Sequence, residues 1–232
     1  EKPCKYIIVS EAGASIYSAS QLAAEEFPDF DVMQRSAVSI ARRLQDPLAE
    51  LVKIDPKGIG IGQYQHDMKQ ARLDEALGGV VESCVNAVGV DINTASYSLL
   101  SYIAGINQTA AKNIVKYREE NGAFTTRGQV TKVPRIGAKA FQQCAGFLRV
   151  PGGREALDNT GVHPESYDCA RRLLSMFGYS EADIANGGLT GLRQKVVRKG
   201  MQSVCEALEV GEPTLADIIT ELEKPGRDIR EG

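Results

Sequence analysis

The sequence predicts a mainly α-helical protein in three parts: an α/β start, a duplicated helical unit and a small helical domain. Three observations carry that expectation. Apolar residues recur at helical spacing along most of the 232 residues, and strand character is confined to one short run near the start. A helix, a four-residue turn and a second helix then occur twice between residues 91 and 150.

Composition narrows the function classes. An apolar fraction of 43% and a charged fraction of 25% are those of an ordinary soluble globular chain. Trp is absent and aromatics are few, so aliphatic side chains must fill the core. No apolar run reaches the roughly 18 residues a membrane helix needs, and no secretory leader follows Glu1-Lys2-Pro3-Cys4-Lys5. A cytoplasmic address without membrane attachment is expected. Cys4, Cys84, Cys144, Cys169 and Cys205 are scattered with no C-x-x-C pair, which argues against a disulfide framework. His66 and His163 have no cysteine close enough in sequence for a familiar zinc pattern, so neither metal nor cofactor is expected.

The net charge of −3 hides an uneven distribution. Residues 1–90 carry nine Lys or Arg against thirteen Asp or Glu, and residues 152–232 carry ten against fourteen. Between them, residues 91–151 carry eight against three. One basic segment between two acidic ones predicts a localised polyanion-binding surface on an otherwise repulsive body.

Taken in order, residues 5–10 read as a strand, and residues 15–26 as a helix ended before Pro28. A strand needs a partner for its backbone groups, so the chain is expected to begin inside a domain. Helical patterns return at 36–44 and 47–52. The glycines of Gly58-Ile59-Gly60-Ile61-Gly62 invite a phosphate-loop reading, but a third glycine is missing at both Gln63 and Gln65, and no Walker lysine follows. This stretch is a connector. Asp67 then reads as the N-cap of a helix through Val88, with Met68, Ala71, Leu77, Val81, Cys84, Val85 and Val88 as its buried stripe. Gly78-Gly79 inside it suggests a close contact or a kink.

In the basic segment, Asn93 or Thr94 can cap a helix to about residue 103, with Ala95, Leu99, Leu100 and Ile103 on its apolar face. The turn Ala104-Gly105-Ile106-Asn107 follows, then a helix closed by Asn121-Gly122. The scheme repeats with a short helix at 127–132, the turn Pro134-Arg135-Ile136-Gly137, and a helix through Ala140, Phe141 and Cys144. This resembles the tandem helix-hairpin-helix module, whose hairpin places a small apolar residue between two glycines. Each copy here keeps one glycine: Gly105 with Asn107 in the first, Gly137 with Arg135 in the second. Asn tolerates a left-handed backbone best among other residues, so Asn107 is expected to take the second glycine's conformation.

Glycines let a backbone approach a phosphate, and the next helix aims its free N–H groups at the same place. The binding set expected on this ground is Gly105, Ile106, Asn107, Lys112, Lys116, Arg118, Arg135, Ile136, Gly137 and Lys139. Contacts of this kind grip the sugar-phosphate chain and read little sequence. A compact unit whose cations form only a solvated face is the bland alternative.

Longer motifs point further. SEAGASIYSAS (10–20), AVSIARRLQDPLAELVKIDPKGIGIGQYQHD (37–67), VESCVNAVGVDINTAS (81–96), YREENGAF (117–124), AGFLRV (145–150), GVHPESY (161–167) and EPTLADIITELEKPGRD (212–228) resemble the bacterial Tex family of transcription accessory proteins. That resemblance implies the last part of a YqgF-type, RNase-H-like domain over residues 1–65 and a connecting helix over 66–90. Tandem helix-hairpin-helix motifs over 91–150 and a helical domain over 151–232 follow from it, and the OB-fold RNA-binding domain that the resemblance places next is expected to be absent from this sequence. YqgF-type domains are related to metal-dependent resolvases, which need converging carboxylates. Here Ser10-Glu11 stands where related enzymes carry an Asp-Glu pair, and Glu11 reads as a helix N-terminal residue favoured by the dipole. Catalysis is therefore not expected, and neither His66 nor His163, which precedes Pro164, has a nucleophile oriented beside it.

The last third predicts a helix over 164–177 with Tyr167, Ala170, Leu173, Leu174 and Phe177 on one face. Ser180 with Asp183, and Thr214 with Asp217, have capping-box spacing. The expected function is non-sequence-specific binding of DNA or RNA by a monomer near the transcription machinery. A scaffold that docks on a protein of that machinery is the alternative.

Overall fold

The computed structural model describes residues 6–59, 64–185 and 189–224. The chain forms two compact units, Glu1–Ser83 and Cys84–Gly232.

In the first unit, residues 6–10 carry no strand, contrary to expectation. No strand lies beside them among the described residues, and an unpaired strand has nowhere to place its N–H and C=O groups. The helix expected over 15–26 is two helices, α1 (Ala14–Ser18) and α2 (Gln21–Glu26). Ser20 makes the break, because its hydroxyl accepts from the Ala23 N–H at 3.1 Å and caps α2. Glu11 lies outside both helices, with Gly13 at the α1 N-cap and no acid in its first turn. α3 (Val32–Arg43) starts earlier than expected because Asp31 and Gln34 close a capping box, at 2.8 and 3.0 Å. α4 (Pro47–Leu51) is capped by Asp46.

The core of this unit is Tyr17, Ala23 and Ile54 with Leu22 against them. Polar anchors flank it: Lys53 meets Glu26 at 3.0 Å and Glu50 at 2.9 Å, and Ser39 donates to Glu50 at 3.0 Å. The Arg43 guanidinium donates to the carbonyls of Ser10 and Ala12 at 2.8 and 2.9 Å, which pins the loop entering α1. Pro56–Ile59 forms a 3-10 turn, and the rest of the glycine-rich connector, residues 60–63, lies outside the described residues.

α5 (Gln70–Val88) does not start at Asp67, which sits in a 3-10 turn, Gln65–Asp67. Met68 is extended (φ −99, ψ 152) and separates the two. Of the expected stripe only Val85 is buried. Leu77, Val81 and Val88 are half-buried, and Met68, Ala71 and Cys84 are exposed. Helical spacing reports an amphipathic pattern, not the presence of an element to cover it. Gly78 and Gly79 have open space where a Cβ would stand, so no close contact explains them.

In the second unit, β1 (Val90–Asp91) and β2 (Leu148–Arg149) pair in parallel, Val90 opposite Leu148 and Asp91 opposite Arg149. This short ladder ties together the two ends of the duplicated segment. Between them run α6 (Tyr97–Leu100), α7 (Gln108–Asn121), a 3-10 helix (Arg127–Lys132) and α8 (Ala138–Cys144). Ser96, not Asn93 or Thr94, caps α6. Both side chains are engaged elsewhere: the Asn93 amide donates to the Phe124 carbonyl at 2.9 Å and accepts from the Phe124 N–H at 2.8 Å, and the Thr94 hydroxyl donates to the Asp91 carboxylate at 3.0 Å. Ala95, Leu99, Leu100 and Ile103 are buried as their spacing requires, and Ile114, Phe124, Val130 and Val133 complete the core.

The remaining helices are α9 (Tyr167–Met176), α10 (Glu181–Ala185), α11 (Leu192–Lys199), α12 (Met201–Leu208) and α13 (Glu212–Glu223). Leu173, Leu174, Val196, Val204, Leu215 and Ile219 are among the side chains they bury together. Asp183 accepts from the Ser180 N–H and hydroxyl at 2.7 and 2.9 Å, as the spacing suggests. Thr214 does not cap: α13 begins at Glu212 with Gly211 at its N-cap, and Pro213 presets its first turn. No helix among the described residues is long and apolar enough to cross a membrane.

Candidate nucleic-acid interface

The two turns of the duplicated segment share one backbone, thirty positions apart (105 with 135, 106 with 136, 107 with 137). Gly105 and Arg135 are both left-handed, at φ 81 and 74. Ile106 and Ile136 are each 3% exposed, and their N–H groups donate to the Ile103 and Val133 carbonyls at 3.0 and 3.1 Å. Asn107 (φ −84, ψ 171) and Gly137 (φ −83, ψ 178) are both extended N-caps. The expectation for Asn107 is thereby corrected. It is not left-handed; its side-chain oxygen accepts from the Ala110 N–H at 2.9 Å and caps α7. The strained place falls instead to Arg135, an arginine held where a glycine stands in the first copy.

The turns differ in what surrounds them. A Cβ on Gly105 would come within 2.8 Å of Gln143 Cβ and 3.0 Å of the Ala140 carbonyl, so this glycine lets the first turn close onto α8. Asn113 on α7 completes the joint by donating to the Pro134 carbonyl at 2.9 Å. Around Gly137 there is only open space, and it offers α8 no capping side chain. The first turn is packed and the second is open.

Three of the eight cations in this segment are used inside the fold. Arg118 donates to the Ile92 carbonyl at 2.8 Å, and its burial lowers the guanidinium's pKa. Arg127 is 1% exposed and donates to the carbonyls of Val162 (2.7 Å), Asp158 (3.0 Å) and Thr160. Its backbone N–H reaches the Asp158 carboxylate at 2.7 Å, which also accepts from the Tyr167 hydroxyl at 2.5 Å. Arg149 donates to the Gly146 and Leu148 carbonyls at 2.7 and 3.0 Å. The exposed cations are Lys112, Lys116, Lys132, Arg135 and Lys139. Lys112 stands 5.0 Å over the Tyr97 ring, and Lys116 pairs loosely with Glu120 at 3.7 Å. Lys132 was missed from the sequence, although it closes the 3-10 helix three residues before Arg135. Its counterpart thirty positions earlier is Tyr102, so the duplication gives no signal for it.

Among the described residues no three His, Cys, Asp or Glu side chains converge as metal ligands. His66 is exposed in its 3-10 turn, and the His163 ring accepts from the Glu165 N–H at 3.3 Å as the N-cap of the turn leading into α9.

Comparison with known proteins matches three consecutive stretches to family models: a Tex protein YqgF-like domain at residues 1–45, a helix-hairpin-helix motif at 85–149, and an HHH domain at 155–230. The last match sharpens the reading of the C-terminal helices, which their sequence marked only as a helical domain. The chain is 60% identical to the transcriptional accessory protein Tex of Neisseria gonorrhoeae over 224 residues, covering 97% of this chain and 29% of that protein. It is 57% identical to protein tex of Bordetella pertussis, covering 97% and 28%. It is also 43% identical to the human S1 RNA-binding domain-containing protein 1, covering 95% and 27%. The chain thus spans less than a third of the length of these relatives.

Proposed function

Because this chain belongs to the Tex family, we propose that it binds nucleic acid without sequence preference through its second hairpin, as part of a transcription accessory protein. Arg135 carries the proposal. A non-glycine residue held left-handed costs about 1–2 kcal/mol, and Arg135 spends it on an exposed turn where its side chain makes no hydrogen bond or ion pair with the described residues. Strain kept at an exposed cation, beside an open glycine, suits a group that meets a phosphate from outside. Lys132, which ends the 3-10 helix, and Lys139, in the first turn of α8, flank it and add point charges. The first hairpin contributes rigidity, through its packing on α8, with Lys112 as its outward cation.

The role proposed is non-catalytic and cytoplasmic, carried out as a monomer. The names of the relatives, a transcriptional accessory protein and an S1 RNA-binding protein, agree with it. The competing scaffold reading draws on the three internal arginines, which show that part of the basic surplus serves the fold.

Fluorescence anisotropy with labelled single- and double-stranded DNA and RNA separates the two. Phosphate binding predicts affinity that falls with salt, by about 0.9 log units per log unit of salt for each duplex phosphate neutralised and about 0.7 on single strands. An Arg135→Glu, Lys139→Glu variant with an unchanged circular dichroism spectrum loses that binding. Absence of any affinity at low salt in the wild-type chain rejects the proposal and leaves the scaffold.

A further inference from the structure

The C-terminal domain carries a cationic face that the hairpin reading does not use. α11 reads Leu192-Arg193-Gln194-Lys195-Val196-Val197-Arg198-Lys199, four cations and no acid in eight residues, within a segment whose balance is acidic. Arg193 is committed internally: it meets Glu223 at 3.5 Å and donates to the Thr220 hydroxyl at 2.7 Å. Lys195, Arg198 and Lys199 are exposed and form no ion pair with the described residues. At 3.6 residues per turn the spacing i, i+3, i+4 puts these three on one face, beside the buried Leu192 and Val196.

That face is held in place. Lys195 Nζ lies 4.0 Å from the centroid of the Tyr179 ring, and Lys199 Nζ lies 5.6 Å from that of Phe177. Both rings pack on the domain core, so the lysine stems rest on a fixed aromatic shelf and their ammonium groups have less freedom to lose on binding. Left-handed glycines bound the helix, Gly191 at φ 87 and Gly200 at φ 97, and open space surrounds the Cβ position of Gly191.

We infer that the α11 face is a second contact surface for a nucleic-acid phosphate backbone, gripped by Lys195, Arg198 and Lys199. A protein partner would need an apolar centre depleted of charge. Here the rings are covered by ammonium groups, and Val197 at 61% exposed is the large apolar side chain that α11 leaves outside. Three exposed cations, two of them held on rings, with no apolar centre match a polyanion. The inference shares its ligand class with the hairpin reading and shares none of its residues.

One experiment therefore tests both separately. The chain is acetylated at lysine, alone and with an oligouridylate or a random-sequence duplex DNA at low salt, and each lysine is quantified by mass spectrometry. Protection of Lys195 and Lys199 by either probe, relieved as salt rises, is the expected result. A Lys195→Gln, Arg198→Gln, Lys199→Gln variant should then lose up to about 2 units of single-strand salt slope, at about 0.7 per contact. Unchanged reactivity of Lys195 and Lys199 while Lys139 is protected overturns the inference and leaves the hairpin reading standing. Protection of Lys195 and Lys199 without Lys139 supports the inference and removes the hairpin reading. A triple variant that binds with the wild-type slope overturns the inference.

Discussion

Gly105 and Arg135 occupy the same backbone position in two copies of one turn, and their substitutions should move stability in opposite directions. Gly105→Ala adds a left-handed penalty of about 1–2 kcal/mol, and its methyl also runs into Gln143 and the Ala140 carbonyl. Urea unfolding should show at least that loss. Arg135→Gly removes the same penalty and returns part of it as backbone entropy, about 0.5–1 kcal/mol, so stability should hold or rise by about 1 kcal/mol or less. Nucleic-acid affinity should fall in this variant although the fold is firmer. A more stable Arg135→Gly protein with wild-type affinity would show that the arginine has no part in binding. A residue that weakens the fold and strengthens binding marks a functional position.

The short 3-10 helix Arg127–Lys132 depends on one buried side chain. Arg127 spans from the second hairpin's lead element to the segment before α9, satisfying the carbonyls of Val162, Asp158 and Thr160. Arg127→Met keeps the volume and removes every side-chain donor, leaving those carbonyls without it and the Asp158 carboxylate with the backbone N–H and the Tyr167 hydroxyl but no cation. Breaking a buried ionic network in this way costs roughly 3–5 kcal/mol. Arg127→Lys should recover only part of it, because a single ammonium cannot reproduce the guanidinium fork. A loss of less than about 1 kcal/mol for Arg127→Met in denaturant titration would show that the network contributes little. The same arginine explains why charge counting overstates the basic surface, since it enters the segment's surplus but never meets solvent.

Across the molecule, α5 is the long element with the least support. It runs from one unit into the next, buries Leu73 and Val85, and carries exposed Val80 and an open Gly78-Gly79 pair between them. Glycine weakens a helix interior by roughly 0.8–1 kcal/mol relative to Ala, and few buried contacts offset it. Amide hydrogen exchange should accordingly be much faster across residues 76–83 than in α7 or α9, whose apolar faces are buried. Equal protection in all three helices would contradict this. The net charge of −3 is likewise a poor guide at this level, because two acidic stretches surround the exposed Lys132, Arg135 and Lys139.

Local rules were legible wherever the deciding partners are near in sequence. The helical class, the duplication, the buried Ala95, Leu99, Leu100 and Ile103, the α7 end at Gly122 and the Ser180–Asp183 contact all follow from spacing within a few residues. The long motifs carried the family resemblance. What spacing could not reveal depends on groups far apart along the chain. Asn107 reads as a stand-in glycine until the shared backbone shows that its position is a cap, and Gly105 reads as a phosphate seat until α8 fills the space beside it. Arg118 and Arg127 count as surface charge until distant carbonyls claim them, and the strand expected near the start needs a neighbour to exist at all. A hydrogen bond or a packing contact has two ends, and a local pattern specifies only one of them.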